Sequence, residues 1–342
     1  MAIFNYLLVR LGGDVEATLD LMERLQQRGI LDPSYDIDEF REQLKRSRRV
    51  KDTGSGLKLA PRGEKKLREE AFEMIFRNMR ASGKGGHPLP YEGGSSEDYL
   101  PERRPYKFGD SPRAIDFTSS MFNSIRRNAD LGLNLSEQDL EVFEAEQTTS
   151  CHTVLMIDIS HSMILYGEDR ITPAKQVAMA FTELILTKYP RDTLSVVTFG
   201  DDAEQIPIRD VPYISVGPFH TNTQAGLRMA RRILLRSKHL NKQIFMITDG
   251  KPSMITRPDG SLYRNPMGLD PRIVNRTLDE AVVCRKKKIP ITTFMVTDDP
   301  YLRSFVERLT ELNKGRAYFS SVDNLGSFVI WDFVAHRKKR GR

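Results

Sequence analysis

Apolar residues recur at helical spacing through roughly the first eighty positions, and then the rhythm changes. Val15, Leu19, Met22 and Leu25 fall on one helical face, and Ile37, Phe40 and Leu44 continue on a second helix after Pro33. The run VKDTGSGLKLAPRG reads as strand, turn and strand, because Gly54 and Gly56 supply the positive φ that a tight hairpin needs. Leu67, Ala71, Ile75 and Met79, spaced by four, predict a strong helix beyond it.

Helix, helix, hairpin and helix over residues 1–80 resembles a winged-helix module. Residues 81–113 are dense in Gly, Pro and Ser, too poor in apolar surface to offset the entropy of ordering, and are expected to be a flexible linker. A helical connector is expected over 114–150. Phe117, Met121, Phe122 and Ile125 mark one amphipathic helix there, and LSEQDLEVFEAEQ predicts another capped by Ser136.

From residue 151 the pattern alternates. HTVLMIDI, TLSVVTF, KQIFMITD and IPITTFMV are short apolar runs suited to strands buried on both faces. Between and after them lie helical segments, among them PAKQVAMAFTELILTKY, with Val177, Phe181, Leu184 and Leu186 inward. Repeated strand–helix units predict an α/β fold, a doubly wound and mostly parallel sheet over 151–336, followed by a basic tail at 337–342. In such sheets ligands bind beyond the carboxyl ends of the strands.

Composition narrows the class. A hydrophobic fraction of 39% and a charged fraction of 29% describe a globular chain with a core. No apolar run approaches the roughly 18 residues of a membrane span, and the start has no signal-peptide pattern, so a cytoplasmic protein is expected. Cys151 and Cys284 have neither metal-ligand nor disulfide-framework spacing and read as buried thiols. The net charge of +6 resides after residue 150, partly in the tail. No nucleophile elbow, phosphate-binding loop, dinucleotide fingerprint or zinc pattern is present, so the chain is not read as an enzyme.

The candidate chemistry lies at the strand ends. Asp158, Ser160 and Ser162 follow the first strand of the alternating region at alternate positions. Thr221 precedes a helix in TNTQAGL, and Asp249 ends a strand in ITDG. Two carboxylates and three hydroxyls from three loops make a hard-oxygen site of the kind Mg²⁺ or Mn²⁺ takes. Thr223 is expected to cap the following helix, and Asp201 and Asp202 to form a solvated turn.

This set resembles the metal-ion-dependent adhesion site of von Willebrand factor A domains, which combines an Asp-x-Ser-x-Ser loop, a threonine and a further aspartate. The resemblance spans about residues 151–336 and implies metal ligation by Asp158, Ser160, Ser162, Thr221 and Asp249. It further implies an adaptor similar to bacterial A-domain proteins that partner AAA+ ATPases of the MoxR or magnesium-chelatase type, with the metal receiving an Asp or Glu of the partner. His161, between the serines, and Tyr263 and Arg264, in the insertion at 254–272, are candidate partner contacts. The alternative reading is nucleic-acid binding through Arg41, Lys45, Arg46, Arg48, Arg49 and Lys51 beside the possible wing.

Overall fold

Two aspartates set the start of the chain's early helices. The Asp14 carboxylate accepts from the Ala17 N–H at 3.0 Å, and that of Asp36 accepts from Glu39 at 2.9 Å, each satisfying an amide that the first helical turn leaves open. The computed structural model describes residues 1–32, 34–54, 56–81, 99–107, 115–128, 135–145, 150–167, 169–217, 219–249, 251–265, 268–296, 299–319 and 325–339. Helix α1 (Ala2–Arg10) precedes the capped α2 (Val15–Gln27) and α3 (Ile37–Arg46). Strands β1 (Val50–Asp52) and β2 (Leu57–Leu59) pair antiparallel, with Gly54 and Gly56 at φ 73° and 121° between them, and α4 (Pro61–Ala81) follows. The module therefore has three helices before its hairpin, where periodicity suggested two. Helix α1 escaped because its nine residues are too few to display a clear period, yet Phe4, Leu8 and Val9 are buried.

Residues 86–149, together with 337–342, fall in a second unit. Here the expected linker and helical connector give way to a paired ribbon, in which β3 (Tyr99–Pro105) lies antiparallel to β4 (Glu141–Ala145). Residues 82–98 and 108–113 of the linker, and 114, 129–134 and 146–149 of the connector, lie outside the described residues. Helix α5 (Phe117–Asn128) is present, but Phe117, Met121 and Phe122 are exposed. The helix expected after Ser136 is a single 3₁₀ turn. Asp139 accepts from the Ser136 N–H and hydroxyl at 2.8 and 3.0 Å, and the chain then goes extended because Val142 and Phe143 favour a pleated surface and a partner strand is at hand.

The remaining elements build one six-stranded sheet. They are β5 (Cys151–Asp158), α6 (Ile171–Lys188), β6 (Thr193–Phe199), β7 (Ala203–Ile206), α7 (Thr223–Arg236), β8 (Asn241–Thr248), β9 (Met254–Thr256), β10 (Leu262–Arg264), α8 (Pro271–Lys286), β11 (Ile291–Met295), α9 (Pro300–Asn313), β12 (Arg316–Phe319) and α10 (Leu325–Lys339). The strand order is β12-β11-β8-β5-β6-β7, parallel except for β7 at the edge, while β9 and β10 form their own hairpin. All eight residues of β5 are buried, as a strand covered on both faces requires. Its side chains alternate between two cores: Leu155 and Ile157 join α6 and α10, whereas Val154 and Met156 join α7, α8 and α9. Leu186, expected inward, is 58% exposed, and Lys175 takes a buried place on the same helix instead. The tail expected from residue 337 continues α10 to Lys339. Both cysteines are buried and neither is in a disulfide, and burial pushes the Cys284 thiol up to about 12.

The amino-terminal module and the sheet domain share one unit and one core, in which Phe4, Leu8 and Ile75 join Phe181, Val329 and Phe333. Lys175, 2% exposed, donates from Nζ to the Val9 carbonyl at 2.8 Å and the Pro212 carbonyl at 3.3 Å. Burial lowers its pKa to about 8. Arg68 pairs with Glu183 at 3.5 Å, and Arg10 with Asp169 at 3.4 Å. Truncating Lys175 takes the donor from the Pro212 carbonyl, leaves the Val9 carbonyl with only the Gly12 N–H at 3.3 Å, and opens a gap under α1, so Lys175→Ala should cost about 2–4 kcal/mol. Denaturant unfolding measures the loss, and limited proteolysis should cut first within residues 1–80. A variant as stable and as protease-resistant as the parent would show that the lysine does not hold the module.

Candidate functional site

Sheet topology decides where the site falls. The chain leaves β5 through α6 to β6 on one side, while β8 lies on the other, so a crevice opens between the carboxyl ends of β5 and β8. Doubly wound sheets bind ligands at such a reversal of strand order. Asp158 is the last residue of β5, and Asp249 directly follows β8.

Both carboxylates are inside the protein: Asp158 is 0% and Asp249 2% exposed. Asp158 Oδ1 accepts from the Ser160 N–H at 2.9 Å, and its Oδ2 accepts from the Thr248 hydroxyl at 2.6 Å. The Ser160 and Ser162 hydroxyls lie 3.0 Å apart, and Ser162 donates to Asp249 Oδ1 at 2.8 Å. One chain of oxygens thus joins the two strand ends. Burial, and then the neighbouring Asp249 charge, raise the Asp158 pKa well above the usual carboxylate range, against the pull of its hydrogen-bond donors.

Thr221 enters from a third loop. Its N–H donates to Ser253 Oγ at 3.0 Å, and its carbonyl accepts from the Ser253 N–H at 3.0 Å. The same loop holds the serine loop, since the Phe219 carbonyl accepts from the His161 N–H at 3.1 Å. Among the described residues the Thr221 hydroxyl has no hydrogen-bond partner. Helix α7 comes close enough to fix this loop because Gly226 has no side chain: a Cβ there would meet Met156 Cε at 2.6 Å and Phe199 Cγ at 3.1 Å.

Three participants escaped the sequence reading. Asn222, fully buried, caps α7 by accepting from Ala225 at 3.0 Å, and it donates to the Asp201 carbonyl and Thr256 Oγ1 at 3.0 and 3.1 Å. The cap is therefore Asn222 and not Thr223, which is the first helical residue. The signal was present in TNTQAGL, since Asn is the stronger cap and it stands one position earlier. Asp201 is likewise no free turn residue, for it accepts from the His220 N–H at 2.7 Å and tethers the threonine loop. Arg170, before α6, places Nη1 2.5 Å from Asp249 Oδ2. Nothing local announces that pairing, because the partners are 79 residues apart.

The proposed partner contacts divide. His161 is exposed at the rim of the crevice, and Arg264 is exposed on β10. Tyr263 is no free anchor: it is half-buried, donates to Asp270 Oδ2 at 2.9 Å and lies under the Arg257 guanidinium at 5.0 Å. In the amino-terminal basic group, Arg41 pairs with Glu16 at 3.2 Å and Lys45 with Glu42 at 2.9 Å, whereas Arg46, Arg48 and Lys51 are exposed.

The chemistry follows from charge. Two buried carboxylates face one buried-side guanidinium among the described residues, so ionising both leaves one negative charge unanswered where water cannot solvate it. Each carboxylate oxygen that accepts one hydrogen bond keeps a second lone pair. The donors are all hard oxygens, and among the described residues no group of three or more His, Cys, Asp and Glu side chains gathers into a metal cluster. The donor set fits a hard cation held by few carboxylates.

Residues 151–334, more than half of the chain, match the model described as "Rv0959-like protein, vWA domain", and residues 98–145 match "Rv0959-like protein, third domain". The "Uncharacterized protein Rv0959" of Mycobacterium tuberculosis is 25% identical over 289 residues, covering 82% of this chain and 42% of that protein, and an equally similar protein occurs in Mycobacterium bovis. The chain thus spans less than half the length of these curated relatives. Among solved structures, the vWF domain of the type V pili tip protein Mfa5 from Porphyromonas gingivalis is 16% identical, with a TM-score of 0.45, covering 56% of this chain and 96% of that one. BatB from Bacteroides thetaiotaomicron is 15% identical with a TM-score of 0.40, covering 55% and 99%.

Asn222→Ala removes the α7 cap and two buried donor contacts together, which should cost about 2–3 kcal/mol. Equilibrium unfolding reads this directly, and a loss below about 0.5 kcal/mol would mean that the threonine loop is held by other bonds.

Proposed function

Taking as premise that the chain belongs to the Rv0959-like family of vWA-domain proteins, we propose that it is a metal-dependent protein-binding module. Asp158, Ser160, Ser162, Thr221 and Asp249 would hold Mg²⁺ or Mn²⁺. The observation that supports this most is the pair of buried carboxylates joined through two serine hydroxyls at the β5/β8 crevice with, among the described residues, one guanidinium paired to them.

When bound, the cation would supply a Lewis-acid position for an acidic group of a partner. The chain's own residues prepare that position. Ser160 and Thr248 orient Asp158 through its two oxygens, and Ser162 holds Asp249. Arg170 offsets part of the charge, so that the site is left short of negative ligands and favours one brought from outside. The exposed His161 stands where an incoming segment would pass. The partner is proposed to be a protein presenting an Asp or Glu, with a MoxR-type AAA+ ATPase as first candidate. The role is that of an adaptor that binds and releases without turnover.

Titration calorimetry should show Mg²⁺ binding to the parent chain and none to Asp158→Asn. Asn fits the site, because its carbonyl accepts from Ser160 and the Thr248 hydroxyl can turn to accept from its amide. Unchanged Mg²⁺ affinity in that variant would sink the assignment. Smaller losses are expected for Ser160→Ala and Ser162→Ala, since water can replace a neutral oxygen.

Stability gives a second readout. Burial raises the folded Asp158 pKa above its unfolded value, so the folded state binds the proton more tightly. The metal-free protein should therefore lose stability as pH rises above the ordinary carboxylate range, and Asp158→Asn should not. Mg²⁺ should restore the parent at pH 7.5. Parent and variant melting profiles with the same pH slope would show that the carboxyl is not under this burial penalty.

A further inference from the structure

A cavity of about 500 Å³ lies between the start of α7, the β9–β10 hairpin and the first turns of α8. Four arginines are among its lining residues, Arg228, Arg257, Arg272 and Arg276, with one acidic residue, Asp279. Most of this positive charge has no internal use. Arg228 reaches Glu280 at 3.8 Å, but Arg231 holds that carboxylate more closely at 2.6 Å. Arg257 lies over the Tyr263 ring. Among the described residues the guanidiniums of Arg272 and Arg276 make no ion pair or hydrogen bond. These two stand four residues apart on one face of α8, where like charges repel. Four cations converging on one concavity complement an anion with several charges.

The cavity also adjoins the crevice. Gln224, on its wall, lies three residues beyond Thr221, and Asn222 ties the two places together through Thr256 Oγ1 at 3.1 Å. Its chemistry favours carboxylates over a nucleotide or other phosphate. Phosphate sites use open amides at a helix N-terminus, but Asp270 already accepts from the Arg272 and Ile273 N–H groups at 2.8 and 3.4 Å. The Tyr263 ring, covered by Arg257, offers that face to no base. Guanidinium forks bind carboxylates and phosphates alike in pairs of parallel hydrogen bonds, so it is the closed amides and the covered ring that favour the carboxylate.

We propose that this cavity receives a carboxylate-rich segment of the partner protein, several of its acidic side chains pairing with Arg228, Arg257, Arg272 and Arg276 while a leading carboxylate reaches the cation site. The leading contact rests on the metal reading above; the arginine contacts do not need the cation. The partner is thereby specified as one with clustered Asp and Glu, not one with a lone acidic residue.

The test is fluorescence anisotropy of a labelled hexaglutamate peptide on the full chain at low salt, with Mg²⁺ or EDTA. Arg272→Glu combined with Arg276→Glu should weaken binding at least tenfold in both buffers. The control pair Arg232→Glu with Arg236→Glu, on exposed α7 positions outside the cavity, should change it less than twofold. Asp158→Asn should remove only the increment that Mg²⁺ adds. No binding by the parent, equal loss in the control pair, or full affinity in the Arg272/Arg276 variant would each overturn the proposal. Pyrophosphate displacing the peptide at far lower concentration than free glutamate oligomer would overturn the peptide as occupant. Loss in the Arg272/Arg276 variant with no effect of Mg²⁺ or Asp158→Asn would retain the arginine site and remove the metal reading.

Discussion

A carboxylate with no exposure to solvent is costly unless something answers its charge, and the arrangement around Asp158 is organised by that constraint. Its two oxygens are met by a backbone amide and a threonine hydroxyl, and a line of serine hydroxyls connects it to the second buried carboxylate. Arg170 answers part of the remaining charge. The polar ladder sits in the crevice that the strand order β8-β5-β6 opens, so the site depends on topology as much as on residue type. Packing supplies the last condition. The bare face of Gly226 lets α7 approach the sheet and bring the Thr221 loop to the same edge.

The amino-terminal module belongs to this scaffold. Helices α1 and α4 complete the apolar face of α6, and a buried lysine closes the joint through two backbone carbonyls. A lysine in that setting is expensive to desolvate, which its lowered pKa reflects, and its hydrogen bonds fix the position of α1 in a way apolar contacts alone do not. The Arg10–Asp169 pair ends one residue from Arg170. The module's docking and the crevice therefore share one segment, the turn that enters α6.

Much of this was legible in the chain. The βα alternation announced a covered parallel sheet, and the oxygen-bearing residues Asp158, Ser160, Ser162 and Asp249 do gather at its β5 and β8 ends. Other parts were misread for specific reasons. Residues 141–145 carry helix-friendly glutamates around Val142 and Phe143, and a ribbon formed because β3, far off in sequence, was available to pair. Helix α5 was correctly placed, yet its apolar residues are exposed, since periodicity reports a face and not what covers it. Thr223 is the expected cap although Asn222, a stronger capping type, stands one position earlier; what no local signal shows are the two further bonds of Asn222, to Asp201 and Thr256.

What the sequence determined by itself are the local quantities: strand and helix alternation from apolar period, helix starts from Asp14, Asp36 and Asn222, and hairpin turns from glycine. It also set the kinds of atom at each strand end. Tertiary structure alone decided which of them meet. Asp158 and Asp249 become neighbours only because β8 inserts beside β5, Arg170 reaches Asp249 across 79 residues, and four arginines from three elements converge on one cavity. The reason is physical: propensity and capping act within a few residues, whereas burial and charge act between whatever the packed chain brings within a few ångströms.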